Sequence, residues 1–205
     1  LAFDYRGWGA SDARLLATQA QPKVRGGEPF TIEVRAVREL VDPLDQLEDI
    51  RSALNVLEGD ARVDKNRLGV WGTSLGGGLA ISTAARDDRV RCVVSQVGFM
   101  DGRLLAARYK GGLDALHRDE IRRSRGELDA IPRELNSSGK GLRGTPYLDN
   151  FARFAPVLEC KSITIPLLLI DVEYEELFDI RDHSGKVYNL LKNTVDCKQI
   201  IIPGA

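Results

Sequence analysis

The residues best suited to chemistry are Gly72-Thr73-Ser74-Leu75-Gly76, a Gly-x-Ser-x-Gly run with two further glycines, Gly77 and Gly78, behind it. The run falls between Arg67-Leu-Gly-Val-Trp71, which reads as a short strand, and a helix rich in small residues predicted from Leu75 to about Arg86. A serine on a tight strand-to-helix turn projects its hydroxyl above the carboxyl edge of a sheet. The glycines two before and two after it, Gly72 and Gly76, are expected to lack side chains so that strand and helix can approach closely. The start of the helix aims N–H groups and a positive dipole end at any oxyanion formed there, and the Leu75 N–H is one natural donor. This is the arrangement of a nucleophile for acyl transfer. Phosphate binding, the other chemistry glycines support, needs Gly-x-x-x-x-Gly-Lys-Ser/Thr. No Lys follows Gly78, and no Gly-x-Gly-x-x-Gly begins at Gly72.

The surrounding elements must hold that serine in place. Asp42-Pro43 makes a helix start, with Asp as N-cap and Pro in the first turn. Leu44, Leu47, Ile50, Leu54 and Leu57 follow at helical spacing up to Gly59. Val90–Val97 reads as a strand apolar enough to be buried on both faces. Strands are also predicted at Ile165–Asp171 and Cys197–Ile202, with a helix at Asp182–Lys192 between them. Strand and helix in alternation imply an α/β fold with a mostly parallel sheet flanked by helices. Residues 13–40 are mixed and carry no clear period. Residues 101–163, rich in Arg, Lys, Gly and Asp, are too long for a connection between strands and read as a cap or lid insertion in one domain spanning 1–205. Asn136–Gly144 reads as a flexible loop holding the glycosylation-type triplet Asn136-Ser-Ser138.

Composition sets outer limits. The chain has 205 residues, 29 Lys+Arg against 30 Asp+Glu, and 43% hydrophobic residues. That balance excludes a disordered chain and offers no charge excess for nucleic acid or an anionic membrane. The longest apolar run, Pro166–Ile170, falls far short of the ~18 residues that span a bilayer. Cys92, Cys160 and Cys197 are odd in number and widely spaced, which fits free thiols in a reducing, cytoplasmic setting. The two His residues lie too far apart for a recognisable metal site, and neither a metal nor another cofactor is expected. Leu1-Ala2-Phe3 reads as the last half of a strand and Gln199–Ala205 as a strand entering its loop, so the chain is expected to be a fragment.

Taken together, these segments resemble the α/β-hydrolase superfamily, in its dienelactone-hydrolase-like and Xaa-Pro-peptidase-like (S15-like) serine hydrolases. Asp4-Tyr-Arg-Gly-Trp-Gly-Ala-Ser resembles the loop after that fold's fourth strand, and Arg67–Gly78 its fifth strand and nucleophile elbow. Pro166-Leu-Leu-Leu-Ile-Asp-Val-Glu-Tyr-Glu-Glu-Leu is similar to its seventh strand and acid loop, and Ile200-Ile-Ile-Pro-Gly-Ala to its eighth strand. The resemblance implies Ser74 as nucleophile, Leu75 as an oxyanion donor and Glu175 as the acid of a Ser-His-acid triad. Asp171, Glu173, Glu176 and Asp179 are alternatives for the acid. It also implies that the catalytic His follows Ala205, and that the first strands and the second oxyanion donor precede Leu1. His117 and His183 read instead as surface or helix-capping residues. With a central strand missing, residues 1–205 alone are expected to fold poorly and to lack esterase activity.

In this family the cap selects the substrate. Arg103, Arg108, Lys110, Arg122, Arg123 and Arg125 give it basic charge, and Phe151, Phe154 and its leucines could line a pocket wall. The expected function is hydrolysis of a small-molecule carboxylic ester or related acyl bond. A peptidase of the same fold and a non-catalytic binding protein remain as alternatives. The sequence is silent on oligomeric state.

Overall fold

The computed structural model describes residues 1–23, 25–131, 143–175 and 177–204. Glu176 and most of the loop expected at Asn136–Gly144, its Asn-Ser-Ser triplet included, lie outside the described residues. In chain order the elements are β1 (Arg14–Ala17), β2 (Val34–Val37), β3 (Leu40–Val41), α1 (Pro43–Gly59), β4 (Leu68–Thr73), α2 (Leu75–Arg86) and β5 (Val90–Gln96). There follow α3 (Gly102–Ala106), α4 (Gly112–Ser124), β6 (Thr145–Pro146), α5 (Leu148–Phe151), α6 (Pro156–Glu159), β7 (Leu167–Val172), α7 (Ser184–Leu191) and β8 (Cys197–Ile202).

A four-stranded sheet in the order β4-β5-β7-β8, parallel throughout, carries the fold. Register places Val70, Val93, Leu167 and Cys197 in one row across it. That row and Leu169 pack with Ala80 and Ile81 of α2, Val157 of α6 and Val187 and Leu191 of α7 into the largest buried cluster. The Pro156–Ile163 stretch is therefore part of the main core, through Val157, Cys160 and Ile163. The opposite face is less covered. Trp71 is 67% exposed, and Cys92 on β5 and Ile200 and Ile202 on β8 are exposed as well. The expectation that β5 is buried on both faces is thus corrected. Its pattern alternates because no buried cluster among the described residues draws on the second face.

Two further expectations change. Residues 1–4 form no strand: Leu1 and Phe3 are exposed, and Phe3 stacks edge-on against Tyr5. A strand exists only by pairing, and no described neighbour offers these residues a ladder. The unassigned stretch 13–40 holds an antiparallel pair, Arg14 opposite Val37 and Ala17 opposite Val34. β3 and β6 form a separate parallel pair that joins this region to the segment between β5 and β7.

Helix α1 begins as its sequence predicts. The Asp42 carboxylate is buried and accepts from the Leu44 and Asp45 N–H groups at 3.0 and 3.3 Å. The same carboxylate also accepts from Asn150 Nδ2 at 2.9 Å at each oxygen, tying α1 to the turn of α5. Asp42→Ala removes the cap and leaves the Asn150 amide without its acceptors, so a loss of about 2 kcal/mol is expected in the urea midpoint. An unchanged midpoint would show that the cap is dispensable.

Candidate active site at the carboxyl edge of the sheet

Because all four strands run parallel, their carboxyl ends share one edge, and Ser74 stands there between β4 and α2. Its backbone is held at φ 55°, ψ −122°, in the left-handed half of dihedral space that side chains disfavour. Four hydrogen bonds impose this conformation. The Ser74 N–H donates to the Gln96 carbonyl at 2.9 Å, and the Ser74 carbonyl accepts from Gly77, Gly78 and Phe99 at 2.9, 3.3 and 2.9 Å. A serine at a helix start ordinarily turns its hydroxyl back onto the first-turn N–H groups. Ser74 makes no such bond, so its Oγ is left facing outward and half-exposed. The Leu75 N–H, first in the helix, has no intrahelical acceptor and accompanies that hydroxyl.

The glycines divide differently from the expectation. A Cβ on Gly72 would sit 2.0 Å from the Gly76 carbonyl oxygen, so Gly72 is required for the turn. Gly76 itself would meet nothing within 4 Å. The close approaches fall one and two residues later. A Cβ on Gly77 would lie 2.8 Å from Gly98 Cα, and one on Gly78 would lie 2.0 Å from the Phe99 carbonyl oxygen. Helix α2 thus presses against β4 at Gly72 and against the segment after β5 at Gly77 and Gly78.

Ser74 opens onto a cavity of about 360 Å³. Leu75 and Phe99 line it, with Leu105, Pro146 and Phe151 from the segment between β5 and β7. Leu177 and Phe178 of the loop after β7 line it too, and Arg108 and Arg143 are its only charged lining residues among those described. Phe151 is a wall residue, as expected. Phe154 is not: it is fully buried in the core with Leu47 and Leu79.

The candidate acids separate clearly. Asp171 is fully buried, accepting from Ser184 Oγ at 2.7 Å and Gln199 Nε2 at 2.8 Å, and serves to join β7 to α7 and β8. Asp179 is exposed and bonded to Arg181, whose hydrogen bonds hold its carboxyl down at about 2. Glu173 accepts from the Gly204 N–H at 2.9 Å, closing the end of β8 onto the end of β7. Glu175 is half-buried in the loop after β7 and accepts from the Leu177 N–H at 2.9 Å. It makes no hydrogen bond to Ser74 or to either His among the described residues.

His183 is the surprise. It is 1% exposed, not at the surface, and although it directly precedes α7 its side chain does not cap the helix. Nδ1 accepts from the Met100 N–H at 2.8 Å, the ring stacks on Phe99 at 4.9 Å, and Phe178 tilts against it at 4.5 Å. The neutral Nε2–H tautomer is the one this bond requires. His183 therefore buttresses the turn whose Phe99 N–H holds the Ser74 carbonyl. Nothing in the local sequence signals this, because the contact spans 83 residues. His117 lies exposed on α4 beside Glu120.

Burial pushes the His183 ring below its ordinary 6.5, and the Asp101 and Asp182 carboxylates offset part of that shift. The folded state keeps the ring neutral while the unfolded chain protonates below that value, so this contribution is complete above it and lost as pH falls. Stability is expected to fall as pH drops below the ordinary imidazole value of 6.5, and His183→Gln should flatten that fall. Parallel pH curves for the two proteins in urea titrations would remove His183 as the cause.

Among the described residues no group of three or more His, Cys, Asp or Glu side chains is placed to hold a metal ion. No described helix is long and apolar enough to cross a membrane.

Comparison with known proteins agrees with this geometry. The model of the prolyl oligopeptidase family matches residues 19–114, a little under half of the chain. An uncharacterised 31.7 kDa protein from the traX-finO intergenic region of Escherichia coli is 42% identical over 105 residues, covering 51% of this chain and 29% of that protein. The quorum-quenching protein AidA of Acinetobacter baumannii (strain MDR-ZJ06) is 37% identical over 102 residues, covering 50% of this chain and 26% of that protein. The chain thus spans less than a third of the length of these curated relatives. In structure, the α/β hydrolase GrgF from Penicillium sp. sh18 superposes with a TM-score of 0.60 at 18% identity, over 98% of this chain and 70% of that one. The parallel sheet, the strained serine at its carboxyl edge and the superposition on GrgF show that the chain has the α/β-hydrolase fold.

Proposed function

We propose that the protein is a serine hydrolase that cleaves a carboxylic ester or related acyl bond. The observation that carries this reading is Ser74: a left-handed serine at a helix start, its hydroxyl uncommitted and facing an apolar cavity. In the proposed reaction Ser74 Oγ attacks the acyl carbon as its proton passes to a His. The carbonyl electrons move onto an oxyanion that accepts from the Leu75 N–H. Collapse expels the leaving group with the His proton, and water repeats the sequence on the acyl-serine. Glu175 orients the imidazole. Gly204 is bonded to the Glu173 carboxylate, so chain continuing from β8 emerges over the edge that carries Ser74, and we place the His there. The part of residues 101–163 that precedes Pro156 acts as the cap, supplying Leu105, Pro146 and Phe151 to the cavity.

The family-model match supports a second reading, a peptidase of the same fold acting on Xaa-Pro or aminoacyl amides. The mainly apolar cavity favours an acyl ester. Fluorophosphonate labelling of the full-length gene product, with and without Ser74, tests the hydrolase reading. Rates on matched esters and amides separate the two substrates.

A further inference from the structure

The cavity at Ser74 also has a charge, and it is one-sided. Of the basic residues between β5 and β7, Arg103 is held by Asp101, Arg122 by Asp119, Arg123 by the buried Asp149, and Arg125 by Glu127. Arg108 has no carboxylate partner among the described residues, and it lines the cavity. Arg143, the other cation there, is engaged by Glu39 outside the cavity lining. No Asp or Glu is among the described lining residues. Arg108 is exposed, and its guanidinium, engaged by no described carboxylate, presents a planar fork of donors at the cavity wall to a carboxylate or phosphate. The rest of the wall, Leu75, Phe99, Leu105, Phe151 and Phe178 in particular, accepts only hydrocarbon.

We infer that the substrate is an amphipathic acyl compound: an apolar chain beside the scissile carbonyl and an anionic group that reaches Arg108. This rests on the hydrolase reading of Ser74 and specifies what that site takes. The anion has two chemical sources, a second carboxylate at the far end of the acyl chain or a leaving group that itself bears an anion, such as a thiol carrying a sulfonate or phosphate.

Four substrates separate them. Suberate mono-p-nitrophenyl ester is compared with p-nitrophenyl octanoate, and the octanoyl thioester of 2-mercaptoethanesulfonate with that of 2-mercaptoethanol. One pair is expected to show kcat/KM higher for the anion by roughly three- to tenfold at low salt, a ratio that shrinks as salt is added. Arg108→Met should collapse that ratio towards unity, whereas Arg125→Met should leave it intact. Anion-to-neutral ratios at or below one in both pairs, or a ratio that survives Arg108→Met, overturns the inference. Calorimetry on the Ser74→Ala protein separates the two claims. Monomethyl suberate binding more tightly than dimethyl suberate, through Arg108, with no Ser74-dependent turnover of any ester, would keep the anion site and reject the hydrolase. Turnover without anion preference would do the reverse.

Discussion

Ser74→Gly is expected to abolish hydrolysis and fluorophosphonate labelling while making the protein more stable. Serine at φ 55° is strained in the folded state alone, and that conformation costs on the order of 1–3 kcal/mol for a residue with a Cβ. Glycine adopts it freely but is more disordered when unfolded, so the net gain should be about 1 kcal/mol. Ser74→Ala keeps the Cβ and hence the strain, and its urea midpoint should stay near that of the parent. Both variants should lose about a thousandfold or more in kcat, because the nucleophile is gone while the Leu75 N–H and the cavity remain. Glu175→Gln is expected to retain labelling at a reduced rate and to lose turnover by about a hundred- to ten-thousandfold, since it disturbs orientation of the base and leaves the nucleophile intact. Equal stability of the glycine and alanine variants would mean that the turn stores no strain. Undiminished labelling of either would move the nucleophile elsewhere.

The parts legible in the sequence were those whose cause is local. Asp42-Pro43 and leucines at helical spacing carry the information for α1 within their own span, and Gly72–Gly78 carries the turn at Ser74. The parts that were not legible depend on partners distant in the chain. Leu1–Phe3 has strand-like residues but no ladder to join. β1 and β2, with unremarkable composition, form a pair because each supplies the other's edge. Phe151 and Phe154 are indistinguishable as sequence. One faces the cavity and the other the core because α5 ends between them. The same holds for charge. The basic residues Arg103, Arg108, Lys110, Arg122, Arg123 and Arg125 look alike until their carboxylates are identified, and four of them then prove to be neutralised. The acid loop shows the limit at the finest scale. Asp171, Glu173, Glu175 and Asp179 differ little in sequence, but burial, the end of β8 and Arg181 already engage three of them, leaving Glu175 as the one with a half-open carboxylate.

Of the two α2 glycines Gly76 and Gly78, a large loss of stability is expected at Gly78 and none at Gly76. A methyl at Gly78 would stand 2.0 Å from the Phe99 carbonyl oxygen and 3.3 Å from the fully buried Phe154 ring. Neither neighbour can yield easily: the first is backbone, and the second fills the core between α1 and α2. Overpacking of this kind costs about 3 kcal/mol. To accommodate it, the turn at Phe99 must shift, which loosens both the Phe99 N–H bond to the Ser74 carbonyl and the His183 bond to Met100. Gly78→Ala should therefore lower the urea midpoint and slow labelling of Ser74 together. Gly76→Ala meets open space in the first turn of a helix, where alanine is favoured over glycine by up to about 1 kcal/mol, and should stabilise the protein with labelling retained. A Gly-x-Ser-x-Gly pattern taken at face value predicts the opposite order, because it makes Gly76 indispensable and assigns nothing to Gly78. The pair of variants thus tests whether the segment after β5 constrains the elbow helix at Gly78. Equal tolerance of alanine at both positions would exclude that constraint.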